Sequence, residues 1–99
     1  MAVFVVRHQH PADRCPAKDP QMGQMLLQHL SDSSAAKAGI SINGEAVVNN
    51  EHTLYLILDA DTQNRVEEFM QPFAMAGSVD VYPASTCSDV VGRGGCSTA

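Results

Sequence analysis

The segment at residues 53–58, "TLYLIL", constrains the fold of this chain more than any other stretch. It contains no charged side chain, so a strand formed there is apolar on both faces. Such a strand belongs in the centre of a sheet, where neighbouring strands flank it. The rest of the chain must therefore supply those strands.

Three further segments predict strands. Residues 2–8, "AVFVVRH", alternate along the chain and place Phe4, Val6 and His8 on one face of a first strand. The second and third strands are expected at about 40–48 and 52–59, joined by a turn at Asn49-Asn50, with Asn43-Gly44 as a bulge or bend. Residues 78–83, "SVDVYP", predict a fourth strand that ends at the proline.

Two helices are predicted between the strands. The first starts with Asp19 as N-cap and Pro20 at the first helical position, and a short further turn ends at Gly39. The second starts after a cap at Asp61 or Thr62 and kinks or ends at Pro72. The inward-facing positions of the first helix are Met22, Met25, Leu26, His29 and Leu30, and those of the second are Val66, Phe69, Met70 and Phe73.

The order β-α-β-β-α-β predicts an α+β, ferredoxin-like domain with a four-stranded antiparallel sheet. This domain covers residues 1–84, and residues 85–99 form a Cys- and Gly-containing tail. We expect the first and third strands to be central neighbours that run parallel to each other. That arrangement puts His52 and Cys87 at the opposite rim of the sheet from the end of the first strand.

The same order, with the helix "DADTQNRVEEFMQPF" and the last strand "GSVDVYPA", resembles the dimeric α/β-barrel superfamily, particularly its small uncharacterised bacterial members. The resemblance covers residues 1 to about 84. It implies a homodimer or higher oligomer whose sheets pack face to face, with a small-molecule ligand or haem between sheet and helices. Members include cofactor-free monooxygenases, isomerases, dehydratases and haem-dependent enzymes, so the resemblance implies a pocket and not one reaction.

Charge and cysteine content limit the partners and the compartment. Eleven acidic and six basic residues give a net charge of −5, which argues against nucleic acid and anionic membranes as partners. The start "MAVFVV" lacks the basic segment of a signal peptide, and no apolar run reaches the ~18–20 residues of a membrane span. We therefore expect a cytoplasmic protein, in which an odd number of cysteines favours free thiols, metal ligation or redox chemistry over structural disulfides.

The stretch 7–16, "RHQHPADRCP", is the candidate site. His8 and His10 lie two residues apart in an extended segment and so project to the same side, and Cys15 comes from the following loop. This donor set predicts a site for Zn, Cu or Fe, or for a small ligand, with Asp13 or His29 as a further ligand. Cys87 and Cys96 join it only if the tail folds back.

Two other functions remain open. One is a dimeric-barrel enzyme, of the monooxygenase or isomerase kind, in which His8 or His10 is the acid or base. Its pocket would be lined by Phe4, Val6, Leu54 and Leu56, with Arg7 either binding an anion or pairing with Asp59 or Asp61. The other is a structural or partner-binding module whose cysteine tail docks elsewhere. If His29 is not a ligand, we expect it to be a hydrogen-bonded core or rim histidine, and we expect His52 to be a solvated turn residue.

Overall fold

The computed structural model describes residues 1–97 and shows an α+β domain. Its strands are β1 (Ala2–Gln9), β2 (Ser41–Val48), β3 (Thr53–Ala60) and β4 (Ser78–Ala84). Its helices are α1 (Pro20–His29), α2 (Asp32–Lys37), α3 (Gln63–Phe69), α4 (Gln71–Ala74) and α5 (Cys87–Arg93). Two short 3₁₀ turns, Ala12–Arg14 and Pro16–Lys18, connect β1 to α1. None of the helices in residues 1–97 is long and apolar enough to cross a membrane.

The four strands form one sheet in the order β2-β3-β1-β4, with every neighbouring pair antiparallel. This is the predicted ferredoxin-like arrangement, and β3 is central as its two apolar faces required. The expected parallel pairing of the first and third strands is wrong. The hairpin between β2 and β3 reverses the chain after the helical crossover, so the start of β3 lies beside the end of β1, with Thr53 opposite Gln9.

The core lies between the sheet and the helices. Its strand residues include Phe4, Val6, Leu56 and Leu58, which pack with Val66, Phe69, Met70 and Phe73 of the segment around α3 and α4. Local signals in the sequence explain where these elements begin. The Asp19 carboxylate accepts a hydrogen bond from the Gln21 N–H at 2.9 Å, and Thr62 rather than Asp61 caps α3. The predicted bulge at Asn43-Gly44 is confirmed by a register shift between Ile42 and Gly44.

Helix α1 is not packed as its pattern predicted. Met22 and Met25 are 49% and 61% exposed, whereas Leu26 and Leu30 contact the core. The helix packs mainly on the preceding turn Pro16–Lys18 and on α2 instead of lying flat on the sheet. A cleft is therefore left between α1 and the sheet.

The tail contains a helix that was not predicted from the sequence. Helix α5 begins after Thr86, whose hydroxyl oxygen accepts a hydrogen bond from the Asp89 N–H, and it ends at Gly94 in the left-handed conformation. Because β4 ends opposite Val3, this helix starts at the far end of the sheet from His10, as expected for Cys87. The last two residues of the predicted tail lie outside the described residues.

Candidate metal centre

Three elements bring His10, Cys15 and His52 together at one end of the sheet. His10 directly follows β1, Cys15 lies between the two 3₁₀ turns, and His52 is the last residue of the β2–β3 turn. One potential ligand atom from each residue lies within 4.8 Å of the other two. The His10 backbone N–H donates to the His52 carbonyl oxygen at 3.2 Å, so the hairpin is tied to the end of β1. The two imidazole rings meet edge to face with their centroids 5.3 Å apart.

The hairpin turn reaches this geometry through two residues with left-handed backbone conformations. Asn50 has φ 68° and His52 has φ 50°. Asparagine and histidine are among the few residues besides glycine that are enriched in this region of conformational space. The turn at Asn49-Asn50 was predicted from the sequence. The left-handed backbone conformation of His52 was not, and it is seen only in the structure.

Gly77 fixes the position of His10 from the other side. The connection from α4 to β4 passes so close to the end of β1 that a Cβ atom on Gly77 would collide with the Gln9 carbonyl oxygen. The same Cβ would lie 2.8 Å from the Cα of His10. Only glycine permits this approach, and the next residue, Ser78, has its carbonyl oxygen within hydrogen-bond distance of the His8 ring.

His8 orients the imidazole of His10. The buried His8 ring has Nδ1 at 2.9 Å from the Ser78 carbonyl oxygen, which can only accept, so Nδ1 carries the proton. In neutral His8 the other nitrogen, Nε2, is then an acceptor, and it lies 3.4 Å from Nδ1 of His10. His10 Nδ1 therefore donates, which leaves His10 Nε2 as an unprotonated lone pair. That nitrogen is buried and has no hydrogen-bond partner within residues 1–97.

The electrostatics favour neutral imidazoles. Burial lowers the pKa of His8, although its hydrogen bond to the Ser78 carbonyl acts in the opposite direction. The pKa of His10 is also lowered, first by burial and then by repulsion from the charged forms of His8 and His52. Both rings are therefore uncharged at neutral pH, each with a proton on one nitrogen only, and an uncharged imidazole is the form that binds a metal ion.

The three residues open onto a cleft of about 590 Å³ beneath α1. His8 also reaches this cleft, so the predicted common side for His8 and His10 is observed. Most of the remaining wall is apolar and comes from α1, the β2–β3 hairpin and Phe73. No Asp, Glu, Lys or Arg side chain of the described chain lines the cleft.

The placement of His52 corrects the sequence-based expectation. The turn position of His52 beside Glu51 predicts a solvated residue, and the expected parallel pairing of the first and third strands predicts that it lies at the opposite rim. In the antiparallel sheet it lies beside His10. Counting strand directions through one crossover and one hairpin would have found this, since each hairpin reverses the chain.

Other predicted site residues lie elsewhere. The Nε2 of His29 is 2.7 Å from the Phe69 carbonyl oxygen, and its ring stacks on the Phe69 ring. It is thus a hydrogen-bonded histidine as expected. Asp13 is exposed, and neither Cys87 nor Cys96, both free and exposed, belongs to the cluster.

The predicted apolar pocket is only partly where the sequence placed it. Leu54 lines the cleft, whereas Phe4, Val6 and Leu56 are covered within the core, because they lie nearer the middle of the sheet beneath α3 and α4. Arg7 lies on the opposite face and pairs with Asp80 at 3.8 Å, not with Asp59 or Asp61. The register explains this pairing, since Asp80 is directly opposite Arg7 on β4.

No model of a known protein family matches the chain, and no curated protein matches it.

Proposed function

We propose that His10, Cys15 and His52 bind one transition-metal ion, with Zn²⁺ as the favoured ion. The observation that carries this proposal is the lone pair on His10 Nε2, which is buried without a hydrogen-bond partner among the described residues and belongs to a ring beside Cys15 and His52. Leaving a buried polar atom unsatisfied costs about 1–3 kcal/mol. A bound cation removes that cost and explains why the fold keeps this nitrogen unpaired.

The donor set fits zinc. Two imidazole nitrogens and one thiolate suit Zn²⁺ or Cu⁺ better than hard ions such as Mg²⁺ or Ca²⁺, and Fe²⁺ also accepts imidazole. With bonds of about 2.0–2.3 Å, tetrahedral ligand atoms lie roughly 3.3–3.8 Å apart. The present separations of up to 4.8 Å must therefore close by no more than about 1.5 Å, which is within reach of side-chain rotation. His8 supports the site as the group that fixes the tautomer and orientation of His10.

A metal titration of tag-free protein tests the proposal. Co²⁺ and Zn²⁺ are added to the chelator-treated chain, and binding is followed by the visible spectrum of Co²⁺ and by competition with a chromophoric chelator. We expect one ion per chain and at least a hundredfold loss of affinity in Cys15→Ser and in His52→Gln. Cys87→Ser is the matched control, since Cys87 is exposed and outside the cluster. Equal affinities for Cys15→Ser and Cys87→Ser would refute the proposed site.

Acid–base catalysis is a second candidate, supported by the same nitrogen of His10. His10 lines the cleft, and its neutral imidazole, with a lowered pKa and a buried but unpaired Nε2, is suited to accept a proton from a substrate that reaches this nitrogen. The metal titration separates the two functions. If the chain binds none of Zn²⁺, Cu⁺ and Fe²⁺, metal binding is refuted and acid–base catalysis is the remaining candidate.

We further propose that the chain forms a homodimer through the face of the sheet opposite the helices. On this face Val5 lies opposite both Ile57 and Tyr82, and Tyr55 lies next along β3. Ile57 on the central strand β3 is 49% exposed, and Tyr82 on the edge strand β4 is 50% exposed, so two large apolar side chains meet water on this face. A second copy presents the same surface, so a twofold contact would bury both patches at once.

Sedimentation velocity tests the dimer. Ile57→Lys is expected to convert the dimer to a monomer, because it places a charge at the centre of the contact. Met75→Lys, an exposed substitution outside this face, is the control and should leave the dimer intact. A wild-type chain that sediments as a monomer at high micromolar concentration would contradict the proposal.

A further inference from the structure

We infer that the metal ion at His10, Cys15 and His52 binds, at its open position, a small monoanion with an apolar body, of the medium-chain carboxylate class. This inference rests on the proposed metal site. Three protein ligands leave one position free on a tetrahedral ion, as in catalytic zinc sites. The cleft that contains all three ligand residues is where a fourth ligand would enter.

Charge balance indicates a monoanion. A divalent ion bound by one thiolate and two neutral imidazoles keeps a net charge of +1. No acidic side chain of the described residues lines the cleft, so the protein does not neutralise this charge. A single negative charge on the ligand would do so, and an uncompensated charge in an apolar cleft is unfavourable. A neutral ligand or a cation lacks this advantage.

The cleft wall indicates an apolar body. Its volume of about 590 Å³ falls within the usual range of about 300–1,000 Å³ for small-molecule sites. Most of the wall is apolar, and its large aliphatic and aromatic side chains are Leu26, Leu27, Val47, Val48, Leu54 and Phe73. Uncharged amides border it at Gln24, Asn49 and Asn50, and these can donate to a carboxylate oxygen that the metal does not bind.

The inference is tested by titrating the Co²⁺-loaded protein with octanoate and following the visible bands of the ion. We expect octanoate to shift these bands and to bind at least tenfold more tightly than acetate, which lacks the apolar chain. Octylamine, which has the same chain but the opposite charge, should leave the bands unchanged. Failure to load Co²⁺ at all refutes the metal site itself, whereas a loaded site that octanoate does not perturb overturns only this inference.

A variant of the cleft wall supplies the second readout. Leu27 lines the cleft and is 58% exposed, so Leu27→Asp adds a negative charge to the wall without removing a core side chain. We expect it to weaken octanoate binding at least tenfold while Co²⁺ still binds. Met75→Asp is the matched control, since Met75 is exposed and outside the cleft. Equal octanoate affinities in the two variants, or equal affinities for octanoate and acetate, would overturn the inference.

Discussion

Replacing His8 with phenylalanine separates the orienting role of this residue from direct metal ligation. The substitution keeps an aromatic ring at this buried position. The His8 ring contacts the Phe73 ring edge to face, with the two centroids 5.2 Å apart. It removes both the donor to the Ser78 carbonyl and the acceptor for His10 Nδ1. The three proposed ligand residues stay in place, but His10 is no longer held in the tautomer that exposes Nε2.

The magnitude follows from this supporting role. Loss of a hydrogen-bond partner that orients a metal-binding histidine lowers metal affinity by about 10–100-fold, or roughly 1.4–2.7 kcal/mol. Removing a protein ligand such as Cys15 should cost more. The stability of the metal-free chain is a poorer readout, because the lost hydrogen bonds, about 1 kcal/mol each, are offset by burial of a more apolar ring.

The assay is chelator competition for Zn²⁺ in a double-mutant cycle with His10→Ala. In wild-type protein His8→Phe should weaken binding 10–100-fold, whereas in the His10→Ala background it should have little further effect, because His8 acts through His10. Circular dichroism establishes that each variant is folded. A folded His8→Phe variant with wild-type affinity would refute the tautomer argument, and an equal loss in both backgrounds would show that His8 acts independently of His10.

Three further predictions follow from the geometry of the site. Gly77→Ala should lower the free energy of unfolding by more than about 2 kcal/mol, because its Cβ collides with Gln9, whereas Gly92→Ala, with open space around it, should be nearly neutral in urea denaturation. The metal-free chain should lose stability as pH falls below about 6.5. The pKa of the buried His8 is lower in the folded chain than in the unfolded chain, so below this pH the unfolded chain binds more protons. An equally steep loss of stability in His8→Phe would contradict this explanation. Zn²⁺ should slow iodoacetamide alkylation of Cys15 but not of the exposed Cys87 and Cys96, as read by peptide mass spectrometry; equal protection of all three would argue against the site.

The positions of the strands and the starts of the first helices were largely predictable, because their signals lie close together in the sequence. Apolar residues on both faces of 53–58 require a central strand, and Asp19 and Thr62 are oxygen-bearing side chains placed where helices begin. Helix α1 shows the limit of periodicity. A pattern of apolar residues identifies which face could be buried, but Met22 and Met25 stay exposed because the preceding turn holds the helix away from the sheet.

The site was predictable only in part because it is assembled from segments distant in sequence. His10 and Cys15 are five residues apart and could be associated from the sequence, although their exact role depends on the buried His8. His52 is 42 residues beyond His10, and its place follows from strand direction rather than from any local motif.

Helix α5 could also have been predicted from the sequence. The capping pattern of Thr86 with Asp89 is present there, and it signals the start of this helix.

X-ray absorption spectroscopy of the Zn²⁺-loaded chain tests the central claim most directly, because it counts the ligand atoms of the bound ion by element. The proposed site predicts one sulfur at about 2.3 Å and nitrogen or oxygen ligands at about 2.0–2.1 Å, with imidazole scattering from two rings. In Cys15→Ser the sulfur contribution should disappear, while in Cys87→Ser it should be unchanged. A tightly bound ion with no sulfur ligand, or one whose sulfur persists in Cys15→Ser, would contradict the assignment of His10, Cys15 and His52 as the metal centre.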